Sequence, residues 1–464
     1  MDATVSERLV AFVRQVQSSG GVPPEVRHEA KRLLLNQLKA SVGATTHPAV
    51  QILHGWCDGH AASGAPAHVL WFGTQASPGH AALVNGALFE VLDFHDTYIP
   101  TYMHAVSAVL PAVLALAEAG GYDGKHFLDA LALGIEIELA VAVILMPTGY
   151  YRGFVPAGLA GGVGAAAACS VLAGLDDMRM RNALGIAMCT AFGTYESVGS
   201  MTLSYITGAT AKAGWTACEL ARRGFDAPRT AFEGEKGMLA SYSNENSLKI
   251  DAVLPQLGRP WRIFGQTYKT IPTETITHGP VECVLALRPR AAGRRVLRMV
   301  FGVEAIVVKI VTERMQRFGR PSSDLTARFD LCHCAAAAWE RGKFGLDEMR
   351  EAAYTDASIL DLRSRIELRA DPARKTFEGC SLRVEFTDGS SDAVTIDNFL
   401  GTPARPIGDA ELGGLFRLAA APMLSHDRAG QVVKDVWGLD ESPDCSSLMS
   451  HATFDVRPRT PASP

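Results

Sequence analysis

The sequence predicts a mainly α protein, a large all-helical domain with a smaller α+β domain inserted into it. Three observations carry this. Residues 1–260 read almost throughout as Ala-rich segments of helical period. Beyond them, several runs alternate with period two. After residue 398 helical segments return, which makes the middle block an insertion. The predicted divisions are 1–260, 261–398 and 399–464, the last returning to the first domain. A chain of 464 residues is too long for one compact core, and at 47% hydrophobic and 20% charged it can bury a large one.

Taken in order, MDATVSERLVAFVRQVQ opens as an amphipathic helix and not an export signal, because Asp2, Glu7 and Arg8 precede any apolar run. EVRHEAKRLLLNQLKASVG, AVSAVLPAVLALAEAGG, GKHFLDALALGIEIELAVAVILM and TAKAGWTACELARRGF read as helices. Gly120, Gly174 and Gly224 stand where left-handed C-caps are wanted. LDDMRMRNALGIAM starts a helix at Asp176 or Asp177. The longest apolar stretch, FLDALALGIEIELAVAVILM, carries Asp129, Glu136 and Glu138. A membrane span of about 20 residues rarely holds three carboxylates, so a buried core helix is expected.

In the inserted block, AIVVKIVTE (305–313), RIELRAD (365–371) and CSLRVEF (380–386) are predicted strands, and FDLCHCAAAAWERG (329–342) a helix. Asp388-Gly389 marks a hairpin turn before DAVTI. DAELGGLFRLAAAPM and SHDRAGQVVKDVWGL close the chain as helices, and the tail RPRTPASP is expected to be disordered.

The formal charge is 44 − 49 = −5, which gives no electrostatic case for nucleic acid. Nine cysteines follow no framework spacing and are expected reduced and buried. With no export signal and no membrane span, a soluble cytoplasmic protein is expected.

The chemistry concentrates in residues 90–104, EVLDFHDTYIPTYMH. Asp93, His95 and Asp96 fall within four positions, and His104 follows eight after Asp96. Asp93, His95, Asp96 and His104 are ligand types that suit iron or zinc, but no HExxH-like spacing supports a metal site. Cys332-His333-Cys334 is also metal-like in composition. Adjacent helical residues point about 100° apart, and no second Cys/His pair lies near, which argues against zinc. Gly162-Val163-Gly164 with Ala167 fits the dinucleotide pattern G-x-G-x-x-A. What precedes it is TGYYRGFVPAGLA, without a strand, so close helix packing is the preferred reading. In TYKTIPTETITHGPVECVLAL, periodicity alone favours a surface Lys269 and a His278 in the first turn of a helix. The break at Pro272 before a helix start also suits an anion-binding corner.

Five segments in order are similar to the MmgE/PrpD family. NGALFEVLDFHDTY resembles its N-G-A-x-x-x-x-L-D-F-D-D-T. HAVSAVLPAVLALAEAGG resembles H-P-x-x-x-V-x-P-A-x-L-A-L-A-E. RGFVPAGLAGGVGAAAACSVLAGLDDMRMRNALGIA resembles its G-F-H-x-T-G, small-residue helix and L-R-N-A-L-G-I-A. KTIPTETITH resembles K-x-Y-P-x-C-x-x-x-H, and FDLCHCAAAA resembles F-S-L-P-Y-x-V-A. The likeness covers about residues 5–440. It implies a large helical domain with an inserted α+β lid, a homodimer, and no metal or other cofactor. It also implies an enzyme that removes a proton alpha to a carboxylate, as 2-methylcitrate dehydratase, cis-aconitate decarboxylase and iminodisuccinate epimerase do.

Carried over residue by residue, the likeness assigns Asp93, Thr97 and His104 to proton transfer, with one extra residue before His104. Lys269 and His278 match the later cationic pair. Such groups cluster between the domains in the family. The departures are the family histidine and threonine of G-F-H-x-T at Val155 and Ala157, and the lysine and histidine of M-T-K-x-x-H at Leu203 and Ile206. His95 stands for an aspartate, His104-Ala105 for His-Pro, and His333 for a tyrosine. Aliphatic walls cannot balance a tricarboxylate. The expected substrate is a small molecule less charged than citrate-like acids, lined by Tyr98, Val155, Leu203, Ile206 and His333, with His95 a further candidate base. The expected reaction is a cofactor-independent dehydration or decarboxylation. An isomerase, epimerase or cyclase of secondary metabolism, and a non-catalytic binding protein, are the alternatives.

Overall fold

The computed structural model describes residues 3–58, 66–243, 245 and 247–454. The tail predicted to be disordered lies outside them. The chain forms two compact units, Met1–Gln266 with Gly408–Pro464, and Thr267–Ile407.

The first unit is helical. Its centre is the helix Thr202–Arg222, packed on Pro78–Glu90, Ala105–Gly120, Gly162–Leu172 and Asp177–Cys189. Small residues set these crossings. A Cβ on Gly208 would lie 2.1 Å from the Leu83 carbonyl oxygen. One on Gly164 would lie 2.5 Å from Glu138 Cβ. The Gly-rich stretch therefore packs helices, and a π-turn (Ala157–Gly161), not a strand, leads into Gly162–Leu172. Helix starts follow side-chain caps. Thr4 and Glu7 form a capping box, and Asp123 and Asp176 accept from His126 N and Arg179 N at 2.9 and 2.8 Å. Gly174 and Gly224 have positive φ as expected. The first C-cap differs: the helix includes Gly120, and Gly121 takes the left-handed conformation at φ +62°.

The apolar helix Gly124–Leu145 is almost wholly buried, and its carboxylates stay inside the unit with it. Among the described residues no helix is long and apolar enough to cross a membrane.

The second unit holds a four-stranded sheet in the order Ile366–Ala370, Val296–Val303, Cys380–Phe386, Ser391–Ile396. The hairpin is as expected, pairing Cys380 with Ile396 and Glu385 with Ser391, with Gly389 at φ +84° in the turn. The strand predicted at 305–313 is a helix, Ala305–Phe318. Its buried residues Val307, Val311 and Arg314 recur at helical spacing, so burial on one face outweighs the β-branched composition. The strand lies just before it, at Val296–Val303, paired parallel with Ile366–Ala370 and antiparallel with Cys380–Phe386. All nine cysteines are free; eight are buried and Cys189, against expectation, is exposed.

Candidate active site

Residues 90–104 fold as two tight returns. Pro78–Glu90 ends at Glu90, and Asp93 N donates to the Glu90 carbonyl at 2.9 Å. Asp93 itself sits at φ +49°, a left-handed conformation that Asp tolerates better than most residues. The reversal brings His95 back beneath the helix end, with Nε2 3.5 Å from Glu90 Oε2. The second return is closed by Tyr98 N to Met103 O at 2.7 Å and Met103 N to Tyr98 O at 3.2 Å, with Tyr102 at φ +55°. It delivers His104 to the start of the helix Ala105–Gly120.

There His104 is fixed by its own segment. Nδ1 lies 2.8 Å from the Asp96 carbonyl oxygen and 3.3 Å from Thr97 Oγ1. Donation from Nδ1–H to that carbonyl places the neutral ring's lone pair on Nε2. The His95 and His104 rings meet edge to face, centroids 4.2 Å apart. His95 is fully buried, as are Asp93, Asp96 and Thr97 nearly so, and His104 is half-buried. One donor atom each from Glu90, His95 and His104 lies within 4.8 Å of the other two. The sequence reading grouped His95 and His104 with Asp93 and Asp96; the structure groups them with Glu90.

Behind this segment lies a buried polar layer that the sequence did not single out as functional. Gln37 Nε2 donates to Asp96 Oδ1 at 2.6 Å and to Ser107 Oγ at 3.3 Å. Both oxygens of Glu138 are buried without a hydrogen-bond partner. Burial first, and the nearby Asp96 second, hold its carboxyl well above the ordinary range, which favours the protonated acid. Lys39, also buried, donates to Asn36 Oδ1 at 2.8 Å and lies 3.8 Å from the Phe94 ring centroid. Helical period hid these residues, because each occupies an apolar face with its carbon stem.

Tyr98 is half-buried, and burial raises its phenol above the usual value. Tyr102 continues the segment as an aromatic row: its ring lies 5.1 Å from Tyr150, which lies 4.9 Å from Tyr195. Val155 and Ile206 are buried in the same neighbourhood. Val155 N donates to the Gly193 carbonyl at 3.1 Å, and a Cβ on Gly193 would lie 2.9 Å from Ile206 Cγ2. Leu203 is half-buried one turn before Ile206. A cavity of about 510 Å³ elsewhere in this unit is bordered by Phe12, Arg27, Lys125 and Trp261, and none of the candidate residues lines it.

The second unit carries Lys269, His278 and His333. Lys269 is fully buried, not a surface lysine. His278 opens the helix His278–Leu287, and its ring lies tilted against Phe399, centroids 5.0 Å apart. His333 donates from Nε2–H to the Glu348 carbonyl, 2.8 Å away, and its backbone N–H donates to Asp330 Oδ1 at 2.7 Å. Burial lowers its imidazole below the ordinary value and pushes the Cys332 thiol up to about 12. These are the properties of core side chains.

Residues 7–251 match the MmgE/PrpD N-terminal domain, and residues 271–439 match the MmgE/PrpD C-terminal domain. This chain belongs to the MmgE/PrpD family. It is an enzyme of the family's lyase type. Cis-aconitate decarboxylase of Homo sapiens is 27% identical over 446 residues, covering 92% of this chain and 90% of its own length. Cis-aconitate decarboxylase-like protein oryM of Aspergillus oryzae is 24% identical, covering 97% of both chains. Cis-aconitate decarboxylase of Aspergillus terreus is 25% identical, covering 84% of both.

Proposed function

We propose that this chain is a dehydratase- or decarboxylase-type lyase whose proton-transfer centre is His104, acting on a substrate less charged than citrate-like acids. The observation that carries this reading is the fixation of His104. A proton-transfer group must be aligned with its carbon, and the Asp96 carbonyl, Thr97 and the His95 ring hold this imidazole in one orientation at a helix start. The helix N-terminus favours negative charge where an enediolate would develop.

In a dehydration, His104 takes the proton alpha to the carboxylate, the resulting electron pair forms the C=C bond as the β C–O bond breaks, and the imidazolium gives its proton to the departing hydroxyl, which leaves as water. In a decarboxylation, His104 begins protonated: the C–C electrons remain on the carbon as CO2 departs, and the imidazolium gives its proton to that carbon. Asp93 and Thr97 support the ring's segment, and His95 is the second imidazole within reach of it. Lys269 and His278 are assigned by family likeness to hold the acidic or carbonyl group. Tyr98, Val155, Leu203 and Ile206 are assigned to the substrate's uncharged part. His333, held by Glu348, is assigned a structural role.

The grouping of Val155 with Ile206 around Gly193 supports a second reaction for the same residues: isomerisation, epimerisation or cyclisation of a more apolar molecule. A homodimer in solution belongs to the same reading and is checked by light scattering on the eluting protein. The deciding experiment is proton NMR in D2O with cis-aconitate, 2-methylcitrate and smaller mono- and dicarboxylic hydroxy acids. Product or deuterium uptake that disappears in His104→Ala and Lys269→Ala supports the lyase. Exchange without net elimination selects the isomerase. Turnover that survives in His104→Ala refutes the assignment of the base.

A further inference from the structure

Proton transfer by His104 leaves Glu90 without a task, yet the fold goes to some length to place it. The left-handed Asp93 reverses the chain within five residues and returns His95 to the carboxylate at the end of its own preceding helix. The Tyr98–Met103 bridge then returns His104 to the same point. Two imidazoles and one carboxylate, with their donor atoms within 4.8 Å of one another, thus converge from one 15-residue stretch. Glu90 is 6% exposed and His95 0%.

We propose that Glu90, His95 and His104 form a binding site for a divalent transition cation of the zinc type, with remaining positions open to water. Zinc bonds of about 2.0–2.2 Å in a tetrahedral arrangement set neighbouring donors roughly 3.3–3.6 Å apart. The Glu90–His95 approach of 3.5 Å already has that spacing. Drawing in the third donor requires movement of roughly 1 Å, which rotation about the Glu90 side-chain torsions supplies while His104 keeps its bond to the Asp96 carbonyl. The donor set, two imidazoles and a carboxylate, suits zinc, iron or cobalt and not magnesium or calcium. His104 also has the outer hydrogen bond that orients a ligating imidazole: Nδ1 bonds the Asp96 carbonyl, which directs Nε2 to the cation.

The site has a consequence for catalysis. One lone pair cannot both bind a cation and accept a substrate proton. The cation-loaded protein therefore lacks its base, and removing the cation restores it. The cation site rests on the first unit's geometry, and its effect on catalysis rests on the proposed role of His104 as the base.

The test uses the full chain, stripped with a chelator and titrated with Co2+ and Zn2+. Wild type is expected to take one equivalent per chain, with visible Co2+ absorption of tetrahedral or five-coordinate intensity that Zn2+ displaces. Glu90→Gln and, separately, His95→Ala are expected to weaken binding by at least the about 10- to 100-fold that loss of a single outer partner costs. Absence of a stoichiometric Co2+ spectrum in wild type overturns the site, as does equal binding by wild type and both ligand variants. Either result leaves proton transfer by His104 standing. Conversely, a metal-free enzyme that shows no exchange with any acid would undo the proposed function and leave the cation site intact.

Discussion

Two regions of this chain gather histidines beside other reactive side chains, and they turn out differently. In Cys332-His333-Cys334 the residues face inward from the first turn of a helix; the Glu348 carbonyl accepts from the imidazole Nε2, and the Asp330 carboxylate caps the backbone N–H of His333. In 90–104 the histidines stand on loops that reverse twice, and their rings meet each other and a carboxylate. The difference lies in backbone shape. A helix spreads adjacent side chains around its axis, whereas a tight return brings residues nine apart into contact.

The largest expected effect that sharpens this contrast is on activity. His104→Ala should lower turnover by about 100- to 10,000-fold, the range typical of a general acid or base, while leaving the circular dichroism unchanged. Next comes stability at the other region. His333→Ala opens a cavity and strips the Glu348 carbonyl of its partner, costing about 2–4 kcal/mol in a denaturant titration, with activity per folded molecule retained. An inactive but fully stable His333→Ala protein would break the contrast.

A smaller, pH-dependent effect is expected at Glu138, whose folded carboxyl is held well above its ordinary value of 4.5. Above that pH the unfolded chain releases a proton that the folded chain keeps. Stability therefore falls as pH rises from about 4.5 toward the folded value. Glu138→Gln removes this loss, so its melting temperature should gain on wild type as pH is raised above 4.5; a constant difference would show Glu138 ionised. Smallest of all is the effect on thiol reactivity. With Cys332 buried and pushed up to about 12, native protein at pH 8 should be alkylated at Cys189 and not at 332, as peptide mass mapping can establish.

Much of the architecture was legible in the sequence because the helices are long and their caps explicit. The hairpin at Asp388-Gly389 was readable from its turn residues alone. AIVVKIVTE was misread because β-branched residues suit either period when only one face is buried, and the real strand, VLRMVFGV, alternates imperfectly across a bulge near Arg298. At the site, Asp93, His95, Thr97 and His104 announced themselves by density. Glu90 and Lys39 did not, since a polar side chain inside a helical pattern looks like ordinary amphipathicity until its neighbours are known, and Glu138 stood out only as a carboxylate in a buried core helix. The return that pairs Glu90 with His95 depends on a left-handed Asp93, which no periodicity records.

The most direct single measurement is deuterium incorporation from D2O into a reacting acid, compared between His104→Gln and His333→Gln at equal folded concentration. Loss in the first and retention in the second is the expected result. Retention in His104→Gln, or loss confined to His333→Gln, would contradict the placement of proton transfer in residues 90–104.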